Sequence, residues 1–233
     1  MSHLEVLLNE PGIKYSSNDS HVQCFPHITN LACKAVLVVM SGSTGPGNGS
    51  VDDSTEHRDL VANVRTVIRM IRVSSLRRDH FASLQTAKGR EPLQLLRGVD
   101  TCWSSTLLML ERFIELKEVC SIIMISMNQD LKKYALQTEE WSTLSIYCTI
   151  LQVPHAFQQC LSAEKTLTLH EALPNFHSMM KVWENMKAEH PNYINLIDAG
   201  LSKLQEYWEK VKDVPAYTLV MCLFYFFYAC NGY

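Results

Sequence analysis

From residue 55 onward, apolar residues recur at helical spacing in one segment after another, and this repetition constrains the fold more than any other feature. The spacing predicts a first helix over residues 55–73, a second from Ser104 to Met127, a third that begins after Thr138 and stops at Val153-Pro154, a fourth that enters through Thr168 and ends before His190-Pro191, and a fifth that ends before Val214-Pro215. Short connections favour antiparallel neighbours, as in a bundle. The chain is therefore expected to be mainly α.

The residues before position 55 follow a different pattern. "SHLEVLLN" makes about two helical turns before Pro11-Gly12, and "HVQCF" alternates apolar and polar residues, which predicts one short strand closed by Pro26. "ITNLACKAVLVVM" then reads as a mostly apolar helix, and "SGSTGPGNGS" is a flexible linker. The linker lacks the lysine of a phosphate-binding loop. The sequence thus predicts a small α/β piece, a linker and a helical array.

Composition excludes some classes of protein. The 233 residues carry a formal net charge of −3, so any surface for nucleic acid must be local. The eight cysteines form no CxxC pair and follow no secretory signal, which is typical of reduced, buried thiols. The apolar run "AYTLVMCLFYFFYAC" is shorter than the roughly 20 residues that a membrane helix needs. No membrane partner is expected.

A basic stripe accompanies the first helix of the array. The face opposite its apolar residues carries Arg58, Arg65, Arg69 and Arg72, and Arg77 and Arg78 extend the stripe. One interpretation is the solvated face of a core helix. The other is contact with the phosphate backbone of DNA, because no acidic residue interrupts the chain between the second and the last of these arginines.

Cys24 and His27 stand three residues apart, a spacing found in some metal sites. A structural zinc site would need a second pair, and no downstream pair has the usual spacing. A nucleophilic pair would need a third orienting group, and no hydrolase signature surrounds the cysteine. A packing corner is the third interpretation. The residues alone give no complete catalytic set and predict no cofactor.

Three ordered segments resemble the hAT (hobo/Activator-type) transposases, particularly their fungal copies. "CFPHITNLACKAV" resembles the CxxH motif at a strand-to-helix corner of their RNase H-like core, and "LLRGVDTCWSSTLLMLERFIELKE" resembles the segment that leads into their helical insertion domain. "EEWSTLSIYCTILQVPHAFQQCLSAEKTLTLHEALP" resembles the insertion itself. The resemblance implies a partial RNase H-like segment over residues 1–40, a linker over 41–54, a basic helix and return to the core over 55–103, a helical insertion domain over 104–214 and an apolar tail outside the family pattern over 215–233.

The resemblance also implies roles for residues. Cys24 and His27 would support the core, and Trp103 would stack on an extruded base, its alternative being a plain core anchor. Cys102 stands where the family usually has arginine. The Asp, Asp, Glu triad that holds Mg²⁺ or Mn²⁺ in the intact family does not occur at matching positions of this chain. We therefore expect a truncated, inactive and nuclear transposase remnant with non-specific DNA binding, or alternatively a helical module that binds proteins.

Overall fold

A computed structural model describes residues 25–42, 58–99, 102–126, 129–163 and 169–211, together with residues 214, 219 and 222. All regular structure in these ranges is helical apart from one isolated bridge between Val99 and Cys102, so the mainly α prediction is confirmed. The helices are α1 (Phe25–Met40), α2 (Leu60–Val73), α3 (Ser75–Ala87), α4 (Trp103–Glu115), α5 (Lys117–Ser126), α6 (Gln129–Lys132), α7 (Thr138–Ala163), α8 (Leu169–Glu189), a 3₁₀ turn (Pro191–Tyr193) and α9 (Ile194–Val211).

Helix α1 begins earlier than the sequence predicted. Phe25 was assigned to the end of a strand, but it is the first residue of the helix. Pro26 lies in the first helical turn, where a backbone N–H would have no partner inside the helix, so the proline is tolerated and does not mark a boundary. The remainder of the predicted strand, the N-terminal helix and most of the linker lie outside the described residues.

Helix α2 confirms the predicted apolar face, but the basic stripe is not one continuous helix face. The Asp59 carboxylate caps α2 by accepting the Ala62 N–H at 2.9 Å. Ser74 is extended, ends α2, and caps a separate helix, α3. Arg77 and Arg78, which were predicted to extend the basic stripe, therefore lie on α3 and not on the same helix as Arg65, Arg69 and Arg72. Helix α3 was missed because few of its residues are apolar.

The predicted helix from Ser104 to Met127 is two helices, α4 and α5. They are separated at Leu116, whose N–H still reaches the Arg112 carbonyl at 3.2 Å while its backbone leaves the helical region. Leu116 is itself buried, so the apolar pattern runs through the break without interruption. Apolar periodicity therefore could not reveal the division.

Helix α7 continues past the proline that was predicted to stop it. Pro154 removes one i→i−4 hydrogen bond, at a cost of about 3 kcal/mol in an exposed helix. Pro154 is buried, and so are Ile150 and Leu151 in the preceding turn, so packing offsets this cost. At the start of α7 the Glu140 carboxylate accepts the Gln137 N–H at 2.7 Å, the back-bond of a capping box.

The last two long helices, α8 and α9, occur where the sequence predicted them. His190-Pro191 separates α8 from α9, as predicted, and the 3₁₀ turn fills the connection. Helix α8 buries Phe176 and Trp183, and α9 buries Leu204. The predicted capping residue Thr168 lies outside the described residues.

The chain divides into two compact units, residues 1–35 with 153–233 (unit 1) and residues 36–152 (unit 2). The core of unit 1 includes Phe176, whose ring lies 5.7 Å from that of Trp208. The core of unit 2 includes Phe113 and Trp141, which stack with their ring centroids 5.2 Å apart. The domain boundaries expected from the sequence stay predictions. No helix within the described ranges is long and apolar enough to cross a membrane.

Candidate functional site

Basic charge is concentrated in one part of unit 2. Residues 58–99 contain nine Lys and Arg residues against three Asp and Glu residues. The rest of the chain then has 12 basic and 21 acidic residues, out of totals of 21 and 24. Although the net charge of the chain is −3, residues 58–99 are locally cationic. These residues comprise α2, α3 and the extended chain that follows them, and are here called the cationic surface.

Three of the arginines singled out in the sequence donate to groups inside unit 2. Arg58 precedes α2 and binds the Glu140 carboxylate at 3.1 Å and the Lys133 carbonyl at 2.8 Å. Arg65 donates to the Thr106 hydroxyl at 2.9 Å. Arg72 donates to the carbonyl of Leu95. These contacts link α2 to α4, to the start of α7 and to the extended chain.

Two more arginines project from the first turn of α3 and fold back onto α2. Arg77 donates to the Met70 carbonyl at 3.2 Å, and Arg78 donates to the Arg72 carbonyl at 2.8 Å. The last carbonyls of a helix lack partners within it, so both guanidinium groups satisfy backbone that would otherwise need water. A guanidinium has five N–H donors, so these residues keep donors for a ligand.

Side chains from the helices hold the extended chain over residues 90–99 in place. The buried Gln85 side chain binds Leu93 twice, donating to its carbonyl at 3.0 Å and accepting its N–H at 2.8 Å. Arg112 donates to the Gln94 carbonyl at 3.2 Å. These contacts fix the backbone just before Arg97, whose side chain is exposed.

Two hollows lie on this surface, and Arg97 lines both of them. The first, here the α3 hollow, has a volume of about 530 Å³ and is also lined by Arg72, Arg78 and Asp79. The second, here the α2 hollow, has a volume of about 430 Å³ and is also lined by Arg65, Arg69, Val73, Gly98 and Met109. Five arginines therefore surround two neighbouring concavities. Such an arrangement attracts anions.

Arg69 and Arg97 differ from the other arginines of this surface. Within the described part of the chain, neither side chain makes a hydrogen bond or an ion pair. Both are exposed, and they meet at the α2 hollow. Sequence analysis identified the first but missed the second, because Arg97 is separated from the stripe along the chain. Its place in "LLRGVD", immediately before the segment that begins α4, was the available signal.

Gly98 lets the extended chain approach α4 closely. A β-carbon at this position would lie 2.9 Å from the Met109 sulfur and 3.5 Å from Nε of Arg65. The absence of a side chain thus keeps the α2 hollow open at Gly98, next to Arg97, which lines the same hollow as Arg69.

Trp103 does not lie on this surface. It is the first residue of α4 and only 4% of it is exposed, which fits a core anchor; its predicted stacking on a base stays a prediction. The preceding Cys102 is exposed, and its sulfur lies 3.2 Å from the Ser104 hydroxyl. Hydrogen bonds from Ser104 and from the Ser105 backbone lower the pKa of the Cys102 thiol. A thiol, unlike arginine, brings no fixed positive charge to this position.

The pair Cys24 and His27 is only partly described. His27 is exposed in the first turn of α1, and Cys24 lies outside the described residues. Within the described ranges, no three or more His, Cys, Asp or Glu side chains are placed to share a metal ion. Cys33 and Cys120 are buried, and desolvation raises the pKa of each thiol.

Comparison with known proteins identifies the family. The family model for the ZBED1 RNase-like helical domain matches residues 22–150, which is more than half of the chain. The chain belongs to this family. The matched range contains all the arginines of the cationic surface, the first two segments that resemble hAT transposases, and residues 139–150 of the third. The relation to hAT-type transposases is therefore confirmed.

A curated human relative is similar over most of the chain. The human zinc finger BED domain-containing protein 4 is 22% identical over 187 residues, which cover 80% of this chain and 14% of the human protein. The chain thus spans a small part of that relative's length. No solved structure matches the chain.

Proposed function

We propose that this member of the ZBED1 RNase-like helical domain family is a nuclear DNA-binding domain that holds the phosphate backbone without cutting it. The observation that supports the proposal is the meeting of Arg69 and Arg97 at the α2 hollow, with three further arginines around the two hollows. Guanidinium groups bind phosphate oxygens with two donors each, and such contacts position a protein on DNA without reading bases.

The arginines of this surface fall into two groups, and the difference between them supports this proposal. Arg58, Arg65 and Arg72 are anchored to protein groups and so set the shape of the surface. Arg69 and Arg97 remain exposed on it. Arg69 and Arg97 both line one hollow, where their like charges repel each other, so a bound anion would reduce this repulsion.

The test is a DNA-binding titration of the full chain with a fluorescent duplex at several salt concentrations. Each phosphate contact contributes about −0.9 to the slope of log K against log salt, so R69Q/R97Q is expected to reduce the slope by about 2 and the affinity at 0.1 M salt on the order of 50-fold. The matched control is K132Q/K133Q, which removes the same charge from exposed lysines of unit 2 away from the hollows. Equal losses in both variants would contradict the site.

The proposed lack of cleavage needs a separate assay. The full chain is incubated with end-labelled duplex and Mn²⁺, and the products are resolved by size. We expect intact DNA, because paired divalent ions need converging carboxylates, and in the described ranges no three or more His, Cys, Asp or Glu side chains are placed to share a metal ion. Metal-dependent nicking that copurifies with the protein and falls in R69Q/R97Q together with DNA binding would contradict this part of the proposal.

A protein-binding module is the second candidate function. The observation that favours it is the exposure of Ile122 and Ile125, three residues apart on α5, with the second 64% exposed. An apolar surface of this kind binds with little dependence on salt, whereas phosphate contacts weaken steeply as salt rises. The titration above therefore distinguishes the two candidates.

A further inference from the structure

Two of the most exposed apolar side chains in the described ranges lie within the cationic surface. Val73, the last residue of α2, is 71% exposed, and Leu76, in the first turn of α3, is 69% exposed. They are three residues apart and flank Ser74, where the chain turns from one helix into the next. Single exposed apolar residues are ordinary, but two of them within four residues of chain give this helix junction an apolar point.

Guanidinium groups border this point. Val73 itself lines the α2 hollow together with Arg69 and Arg97. Arg77 and Arg78 reach back across the junction to the carbonyls of Met70 and Arg72, so their charged ends lie against the last turn of α2. An acidic or neutral border would suit many partners. A border of arginines favours a polyanion, and the duplex of the proposed function is a partner of that kind.

Apolar side chains gain little in a protein that contacts only phosphates, since phosphate groups offer no apolar surface to bury. They contribute when they enter the minor groove and slide between two base pairs, while neighbouring arginines hold the phosphates on either side. The duplex then unstacks at one step and bends toward the major groove. Aliphatic residues such as leucine are known to act in this way in minor-groove proteins.

We infer that Val73 and Leu76 form an apolar wedge that enters the minor groove of duplex DNA between two base pairs and bends it. This inference rests on the proposed function, because the wedge acts only once the arginines have bound the backbone. It adds a distinct property, deformation of the duplex, and a preference for flexible steps such as TA over stiff A-tracts.

The experiment measures bending and binding on the same sample. A 30-base-pair duplex with a central TA step carries a donor and an acceptor dye at its ends, and a second duplex carries 2-aminopurine at that step. For the full chain we expect increased energy transfer and increased 2-aminopurine fluorescence on binding. V73S/L76S is expected to lose both signals while its affinity falls by less than about tenfold, because the phosphate contacts remain.

The control variant is I122S/I125S, which makes the same kind of change in another exposed pair with the same spacing in unit 2. It is expected to keep both signals. Binding without a change in energy transfer, or a V73S/L76S protein that bends DNA like the wild type, would overturn the wedge and leave the DNA-binding proposal standing. Failure of the wild-type chain to bind any duplex would overturn the proposed function, and the wedge with it.

Discussion

At the scale of single residues, Gln85 is the side chain on which the extended chain depends most. It is buried and makes two hydrogen bonds to the backbone of Leu93. Q85L keeps the approximate volume but removes both hydrogen bonds to the part-buried backbone of Leu93, so we expect a loss of about 1–3 kcal/mol in the free energy of unfolding. Urea denaturation followed by circular dichroism measures this loss. Q94L, which changes an exposed side chain of the same segment, should cost little, and similar losses in both variants would contradict the assignment.

Gly98 gives a second prediction at this scale. G98A would bring a β-carbon to 2.9 Å from the Met109 sulfur, so we expect a loss of about 1–2 kcal/mol in stability from overpacking. A double-mutant cycle with M109L identifies the cause, because the shorter leucine should recover part of the loss. G89A is the comparison: it is strained by a φ of +71° but meets no atoms within 4 Å. It should show no coupling to M109L, and additive effects of G98A and M109L would contradict the close approach.

Cys102 gives a third prediction, which concerns pH. Hydrogen bonds, of which the one from Ser104 is the largest cause, lower the pKa of this thiol, and the thiolate is the reactive form. Alkylation at Cys102 should therefore reach half of its maximal rate at a lower pH than a free cysteine does. S104A should move this midpoint to higher pH. Peptide mass spectrometry after timed alkylation follows the reaction, with Cys33 and Cys120 as slow internal controls. An unmoved midpoint in S104A would contradict the role of the hydroxyl.

At the scale of elements, side-chain caps stabilise the starts of α2 and α3, the two helices of the cationic surface. Asp59 accepts the Ala62 N–H at 2.9 Å, while Ser74 accepts the Arg77 N–H at a longer 3.4 Å. We expect D59A to cost about 1 kcal/mol of stability and S74A to cost less. Thermal or urea unfolding measures the stability of both variants. D130A, which removes an acidic side chain from α6, controls for the loss of charge. A larger loss of stability in S74A than in D59A would contradict the expectation that the shorter cap hydrogen bond contributes more.

The elements also show what the sequence could and could not predict. The long amphipathic helices α2, α7 and α9 were predicted because their apolar residues follow one period and become buried on one face. Helix α3 was missed because its buried residues are only Phe81 and Gln85, one of them polar. The break at Leu116 was missed because burial is continuous across it. The stop at Pro154 was wrong because tertiary packing offset a local preference.

The candidate site was predicted only in part, because spacing along a helix reveals some of its residues and tertiary contacts bring in the others. The arginines of α2 share a helix face, so spacing alone brings them together. Arg97 joins them only because Gln85, Arg72 and Arg112 fasten the chain that precedes it. Contacts between residues so far apart in sequence leave no periodic signal. Sequence spacing likewise could not show that Arg58 and Arg65 are occupied by protein partners.

At the scale of the whole molecule, net charge and local charge give opposite expectations. The sequence pI is about 6.3, so the protein is anionic at pH 7.5 and should be retained by an anion exchanger. It should also be retained by heparin, through the cationic surface of residues 58–99. R69Q/R97Q should elute from heparin at lower salt and bind the anion exchanger no less strongly, whereas K132Q/K133Q should keep its heparin retention. Equal shifts on heparin would indicate that overall charge controls the interaction.

The extended chain over residues 90–99 takes its backbone partners from helix side chains and has no paired strand beside it in the described ranges. A strand in a sheet is restrained by its own neighbours, but this segment is restrained by positions on α2, α3 and α4. Evolutionary constraint should accordingly fall on those three helices. The solvent-facing residues of the segment other than Arg97 are then free to vary, and related proteins could acquire new ligand preferences there without a change in the surrounding helices.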